Sequence, residues 1–537
     1  MLYLLTIRYL RISQIFYRVI RYIHKPKKID IFLNLSNQRA NLIDPPRNRD
    51  SLCNNTHFNF LNQSVKINTS WFYPKQSKLW NYNIHYFDFL NTINGLKSKQ
   101  KCQKLMSDWV KKNNYGENPA WDPYPTSLRI VNWIFWHLKG NTLDENLIRS
   151  LSQQSFWLSR RLEFHIMGNH LFANGKALVF AGLFFSGEKG IKFLSLGLKI
   201  VNSELKEQVL EDGGHIERSP MYHSIILKDL LDLLNLANLY KGKISKYSIR
   251  LWRDKAKAML FWIKNMTHPD GEIAFFNDAA FGIAIRPEEL ISYAKRLGIE
   301  DIKTQKKIQY QASSGYAKIN KDNYFAIIDI AKIGPDYQPG HAHADSLSFE
   351  LSIFGKRVFI NGGTSLYESG EIRDYERGTS SHNTVAVNGE NSSEVWSSFR
   401  VARRAYPFNI DFNEKKDSVI ISCAHNGYKR LKGKPIHVRK WIFTDDEIII
   451  KDQIQGRFNN ATAYFHLHPS ISLLRASDSA CFFQLNNGRE IKLGITNGDM
   501  SIKDSFYSPE FGIRKKTKCL AVDLVNGKSE LKVSLFQ

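Results

Sequence analysis

Cysteine is scarce: five residues in 537 (Cys53, Cys102, Cys423, Cys481 and Cys519), scattered and never in CxxC spacing. That spacing argues against a disulfide framework and a thiolate zinc site, and leaves the redox compartment open. The chain has no phosphate-binding P-loop and no dinucleotide fingerprint, so neither a nucleotide nor a redox cofactor is expected. It also lacks an RNP-like motif, zinc-finger spacing and any dense Lys/Arg block, so nucleic acid is not an expected partner. Long uninterrupted apolar runs are missing too. In the opening stretch "MLYLLTIRYLRISQIFYRVIRYIHKPKK", Arg8, Arg11, Arg18 and Arg21 break every one, which argues against a spanning helix or an ordinary cleavable signal peptide.

What remains is the composition of a large globular protein: 43% hydrophobic and 13% aromatic residues, too rich for disorder. The length exceeds what one core organises, so two or three domains are expected. Lys and Arg total 75 against 51 Asp and Glu, giving +24. Such a field favours polyanions, although compositional bias alone would also produce it. The N-terminal stretch reads as a basic amphipathic helix that either packs on the body or lies peripherally on a membrane.

From about residue 80 the apolar spacing is helical. "PTSLRIVNWIFWHL" carries cap candidates Thr126 and Ser127, and "SPMYHSIILKDLLDLLNLANLY" opens with Ser219 as N-cap and Pro220 at the first helical position. Beyond about 310 the period changes to two, in "NYFAIIDIA", "SLSFELSIFG", "HNTVAVNG", "DSVIISCAHNG" and a hairpin turning at Asp445 and Asp446. With few helices between them, these strands imply antiparallel stacked sheets. The expected domains are 1–79, a basic helix and extended lead-in; 80–310, helical; and 311–537, an antiparallel β-sandwich. Pockets favour domain interfaces, so a site is expected where the halves face each other.

Four stretches concentrate polar residues. In "MGNHLFANGKALVFAG", Asn169 sits near a helix N-terminus, where an anion is attracted, with His170 one turn from Asn174; an ordinary Asn cap would look the same. In "EDGGHIERSPMYHS", Tyr222 falls in a first helical turn, a position also used for plain packing. "GHAHADSLSFEL", if extended, puts His341, His343 and Asp345 on one face with Leu347, Phe349 and Leu351. The fourth, "FINGGTSLYESGEIRDYERGTSSHNTVAVNGE", adds His382 at a strand start. Three histidines delivered to one region could be structural, catalytic or metal-binding.

Taken in order, "GNHLFANGKAL", "DGGHIERSPMYH", "GHAHADSLSFEL", "GGTSLYESG", "RGTSSHNTVAVNGE" and "SSEVWSSFRVARRA" resemble the heparinase II/III-like polysaccharide lyases, from about residue 80 to the C-terminus. The resemblance implies an α+β multidomain fold, an N-terminal incomplete (α/α) toroid followed by a C-terminal antiparallel β-sandwich, with a substrate cleft between. It implies β-elimination on an acidic, uronic-acid-containing polysaccharide, with no cofactor required. Asn169, aided by His170, would neutralise the uronate carboxylate; Tyr222 would be base and acid, His341 sharing the role and His170 the alternative base. Tyrosine titrates near ~10, so nearby cations are expected to activate it.

Asn174, His215, Glu217, Arg377 and Arg404 are candidates for contacting substrate. Among the neighbouring arginines, Arg373, Arg400 and Arg403 could also hold anions, or "FRVARR" could be a strand with a solvated basic face. His343 and His382 match positions that hold a structural divalent metal, zinc or calcium, in some relatives. The third ligand position is Asn361, a weaker donor than carboxylate. Competing readings are a glycoside hydrolase recruiting Glu217, Asp278 or Asp345, and a non-catalytic polysaccharide-binding or assembly protein on the same fold. The resemblance favours the cell envelope, while the lack of an ordinary signal keeps cytoplasmic and membrane-peripheral locations open. Oligomeric state is not legible.

Overall fold

The computed structural model describes residues 1–537 apart from 38–41, 55, 69, 301–305, 536 and 537. Two short helices, Leu2–Ile7 and Ile12–Ile23, begin the chain. A small antiparallel sheet of three strands, Leu52–Cys53, His57–Phe60 and Gln63–Lys66, follows them, so the lead-in is more structured than an extended segment. Its Phe58 joins Trp71 and Phe89 in the aromatic packing of the helical core.

Between Lys78 and Arg296 the long elements are helices: Pro123–Leu138, Glu145–Ser159, Gly168–Phe184, Gly187–Gln208, Pro220–Leu239 and Lys246–Asn265 among them. Their starts are chemically marked. Pro220 occupies the first turn while Ser219 Oγ accepts from the Tyr222 amide at 3.2 Å, and Asp144 does the same for Leu147 at 2.9 Å. The Gly168 and Gly187 helices form a hairpin at backbone contact. A Cβ on Gly182 would lie 2.3 Å from the Leu194 nitrogen, and one on Gly197 2.6 Å from the Val179 nitrogen. That approach buries the Gly168 helix almost wholly, which fixes its first turn rigidly where Asn169 and His170 stand.

From Ile308 onward the strands are antiparallel. A five-stranded sheet (residues 308–359), an eight-stranded sheet (407–535) and a four-stranded sheet (385–524) share one apolar core, containing Ile328, Leu351, Trp441, Ile450, Phe465 and Val533. Strands Ile436–Phe443 and Glu447–Gln455 pair through Phe443 and Ile448 across the Asp445–Asp446 turn. The whole is an incomplete helical toroid followed by an antiparallel β-sandwich. The polar segment expected between the halves falls partly on 301–305, outside the described residues.

One expectation fails locally. The stretch 340–351 is not one strand: residues 340–348 are irregular and pairing starts at Phe349. Leu347 adopts φ 63°, a left-handed conformation that breaks alternation between the polar and apolar parts. His341 and His343 still converge, because both reach the same carboxylate.

Candidate active site

Three helix or loop entries meet at the mouth between the halves, and each is preceded by a non-glycine residue in a left-handed conformation: Met167 (φ 67°) before Gly168, Arg218 (φ 56°) before Ser219, and Asn277 (φ 58°) before Asp278. Such backbone persists only where surroundings over-determine it. They do so here. Arg218 donates to the Ser314 and Lys332 carbonyls at 2.9 and 3.1 Å, while its own carbonyl accepts from Tyr316 Oη and Asn277 Nδ2. Asn277 Oδ1 in turn accepts from the His343 amide at 3.0 Å, tying the HAHAD segment to the turn. Ser219 Oγ, already capping Tyr222, donates to the Asp278 carbonyl at 2.6 Å.

Asp278 is the hub. Its fully buried carboxylate accepts from Arg373 at 2.5 and 2.8 Å, His341 Nδ1 at 3.0 Å, His343 Nε2 at 2.8 Å and Thr364 Oγ1 at 3.2 Å. Burial alone would raise its pKa; Arg373, with the two imidazoles, outweighs burial and holds it well below the carboxylate range. An ionised carboxylate only accepts, so His341 carries a proton on Nδ1, and in the neutral ring the lone pair is on Nε2. That Nε2 lies 3.6 Å from Glu217 Oε2. The His341 ring packs 3.9 Å from the Tyr222 ring, centroid to centroid.

Tyr222 Oη meets Tyr367 Oη at 2.9 Å. Burial, then Tyr367 and Asp278, push its pKa well above 10. Apart from the His341 ring, the neighbours that shift it are acidic or phenolic, and Arg373 is already committed to Asp278. The expected cationic activation of Tyr222 is therefore corrected: the phenol holds its proton. In the first turn of the Gly168 helix, Asn169 is buried with its Oδ1 lacking a partner. Tyr124 stacks on His170 at 4.4 Å, and His170 Nδ1 meets Glu163 at 3.2 Å. Glu163 is lowered: burial opposes, but His170 and Arg21 prevail.

Asn169, His170, Tyr222 and His341 line a single cavity of about 980 Å³, along with Tyr124, Tyr367, Arg400 and the inner side of the N-terminal helices (Gln14, Arg18, Arg21). Through Leu61, Tyr86, Tyr124 and Phe511 it shares walls with a second hollow of about 280 Å³ bearing Arg49 and Lys228.

Other candidates stand behind this wall. Asn174 is fully buried, holding Glu163 and Ser127. His215, lowered to about 4 by burial, bonds Gln208 and the Glu217 amide. Glu217 is buried beside His341. Arg377 is spent on the carbonyls of Ala342, Ser397 and Arg400, and Arg404 on Asp336 and the Val401 carbonyl, its guanidinium 3.7 Å from the Tyr9 ring. As direct substrate contacts Asn174, His215, Arg377 and Arg404 are corrected to supports, since their hydrogen bonds go to fixed backbone and side-chain partners; both Glu217 carboxylate oxygens lack a hydrogen-bond partner, so the same argument does not reach Glu217. Arg403 pairs with Glu394. Asp345 is bonded to the Asn277 amide, and Glu217 and Asp278 flank one imidazole, so the three carboxyls form no opposed pair across a sugar-sized gap.

The metal expectation meets a different donor order. His343 Nε2 donates to Asp278, and burial lowers this ring to about 4, so it is neutral and its Nδ1 is an acceptor. His382 Nε2 lies 3.3 Å from it. The His382 Nδ1 faces Asn361 Oδ1 at 3.1 Å and donates to it, leaving the Asn361 amide nitrogen without a partner. Asn361 thus addresses the far side of His382. Among the described residues no group of three or more His, Cys, Asp or Glu could hold an ion.

Asn277, Asp278, Glu163 and Tyr367 were not singled out for these roles from sequence. An Asn-Asp pair in "FFNDAAF" is a turn signal for the first two; Tyr367 lay inside the quoted motif "GGTSLYESG", and Glu163 carried no signal.

Two family models match consecutive parts of the chain: Heparinase II/III N-terminus over residues 72–295, and Heparinase II/III-like, C-terminal over 304–534. A heparin-sulfate lyase of Bacteroides stercoris is 26% identical over 353 residues, 62% of this chain and 50% of that protein. FtsZ-localized protein C of Caulobacter vibrioides is 23% identical over 438 residues, 75% of this chain and 72% of that protein. The chain spans about half the length of the heparin-sulfate lyases it matches. A crystal structure of heparinase III superposes with a TM-score of 0.69 at 16% identity, over 87% of this chain and 79% of that one, a likeness of fold.

Proposed function

The chain belongs to the heparinase II/III-like family, and from that premise we propose that it cleaves a uronic-acid-containing polysaccharide by β-elimination. The observation carrying this reading is that Asn169, Tyr222 and His341, drawn from two helix starts and the β half, line one cleft.

The C5 hydrogen of a uronate is weakly acidic while its carboxylate is charged. Asn169 at the helix N-terminus hydrogen-bonds that carboxylate and spreads its charge. His341 Nε2, its tautomer set by Asp278, takes the C5 proton. The C–H electrons become the C4–C5 double bond, the C4–O bond breaks, and the leaving oxygen takes the proton of Tyr222. A phenol whose pKa is raised by burial suits the acid role better than the base role. Arg18, Arg21, Lys78 and Arg400 on the cleft walls favour a polyanion. No metal enters any step; the His343–His382–Asn361 chain braces the loop carrying His341.

Incubation of the protein with uronic-acid polymers tests this: elimination yields products with the near-ultraviolet absorbance of an unsaturated uronate and lacking the elements of water. Saturated products with new reducing ends would instead establish hydrolysis. Polymer binding without cleavage would favour an assembly or binding role.

A further inference from the structure

The helix Ile12–Ile23 is turned opposite to an ordinary surface helix. Its polar side faces the protein: Gln14 is buried and donates to the Tyr337 carbonyl at 3.3 Å, Arg11 pairs with Glu207, and Arg21 lies against His165 and Asp122. Its apolar side faces out. Ile12 is 86% exposed, Phe16 58%, Val19 52% and Ile23 80%, a stripe at helical spacing widened by Ile15 and Tyr22. The preceding helix adds Leu4, 76% exposed. A contiguous apolar stripe on water calls for an occupant.

Charge identifies it. Residues 1–28 hold Arg8, Arg11, Arg18, Arg21, Lys25, Lys27 and Lys28 and no Asp or Glu, and Arg8, Lys25, Lys27 and Lys28 are exposed around the stripe. A second copy would bring two such cationic sets together, which like-charge repulsion opposes. Among the described residues no helix is long and apolar enough to cross a membrane. We propose that these two helices dock in the plane of an anionic phospholipid surface, apolar stripe inserted between headgroups and cations against phosphate. The inner side of the same helices walls the cleft, so docking sets the cleft beside the bilayer.

Flotation with vesicles tests this without reference to the reaction. The full chain is expected to float with phosphatidylcholine–phosphatidylglycerol vesicles and at least tenfold less with phosphatidylcholine alone or in high salt. The double variant Phe16→Asp, Val19→Asp and the triple variant Lys25→Glu, Lys27→Glu, Lys28→Glu should each lose at least tenfold in vesicle binding while keeping the wild-type melting midpoint, since these side chains are exposed. Wild-type protein that stays unbound with anionic vesicles overturns the proposal, as does flotation undiminished in the Phe16→Asp, Val19→Asp variant. A concentration-dependent dimer abolished by that variant, with no vesicle binding, would assign the stripe to a second copy instead.

Discussion

Replacing Asp278 with Asn probes the hub in two separable ways. The carboxylate now accepts from Arg373, His341, His343 and Thr364. An amide of the same shape keeps one acceptor and turns an NH2 toward the rest. Arg373, fully buried, loses its counter-charge, a change that typically costs about 3–5 kcal/mol. Where the NH2 meets His341 Nδ1, that nitrogen must accept, so the ring proton moves to Nε2 and the lone pair needed for the C5 proton disappears. Loss of a positioned base lowers turnover by ~10²–10⁴-fold. The single variant should therefore lose both stability and turnover. Adding Arg373→Met removes the orphaned cation, and replacing a buried ion pair with apolar groups is often close to neutral. The double variant is thus expected to recover most of the melting midpoint while turnover, followed by unsaturated-uronate absorbance, stays ~10²-fold or more below wild type. Recovery of turnover along with stability would show that Asp278 serves Arg373 alone and refute the tautomer argument.

Tyr222→Phe should lower turnover by ~10²–10⁴-fold with polymer binding retained, at a stability cost of about 1 kcal/mol for leaving Tyr367 Oη unpaired; full activity would remove the phenol from the mechanism. Glu204, buried beneath the N-terminal helix, is raised by burial to about 7 from 4.5. A raised carboxyl contributes stability below its unfolded pKa that is lost as pH rises through the folded one. Glu204→Gln should accordingly leave the melting midpoint unchanged near pH 4.5 and raise stability by on the order of 3 kcal/mol at pH 8; equal effects at both pH values would contradict this. Exhaustive chelation should leave turnover and melting midpoint unchanged. Their fall, with one equivalent of zinc or calcium released, would replace the hydrogen-bonded order at His343, His382 and Asn361 with a metal.

Much of the architecture was legible locally. Ser219 and Pro220 start a helix because one caps and the other fits only a first turn, and Asp445–Asp446 closes a hairpin between alternating strands; both signals act within a few residues. The change of apolar period from helical to two similarly announced the toroid and the sandwich. Asn169, His170, Tyr222 and His341 were named from sequence, and tertiary structure brought them to one cavity.

What sequence could not decide was which polar groups satisfy one another. Arg377 and Arg404 read as free cations until folding set carbonyls and Asp336 around them. "HAHAD" read as a strand until Leu347 turned left-handed, and Asp278 became the hub only because loops some sixty and ninety residues downstream returned to it. The Ile12–Ile23 stretch declared itself amphipathic, but not that its polar side would be the one buried. Periodicity is a property of neighbouring residues. The partner of a buried charge, and so its protonation state and chemistry, belongs to whatever distant segment the fold places within 3 Å.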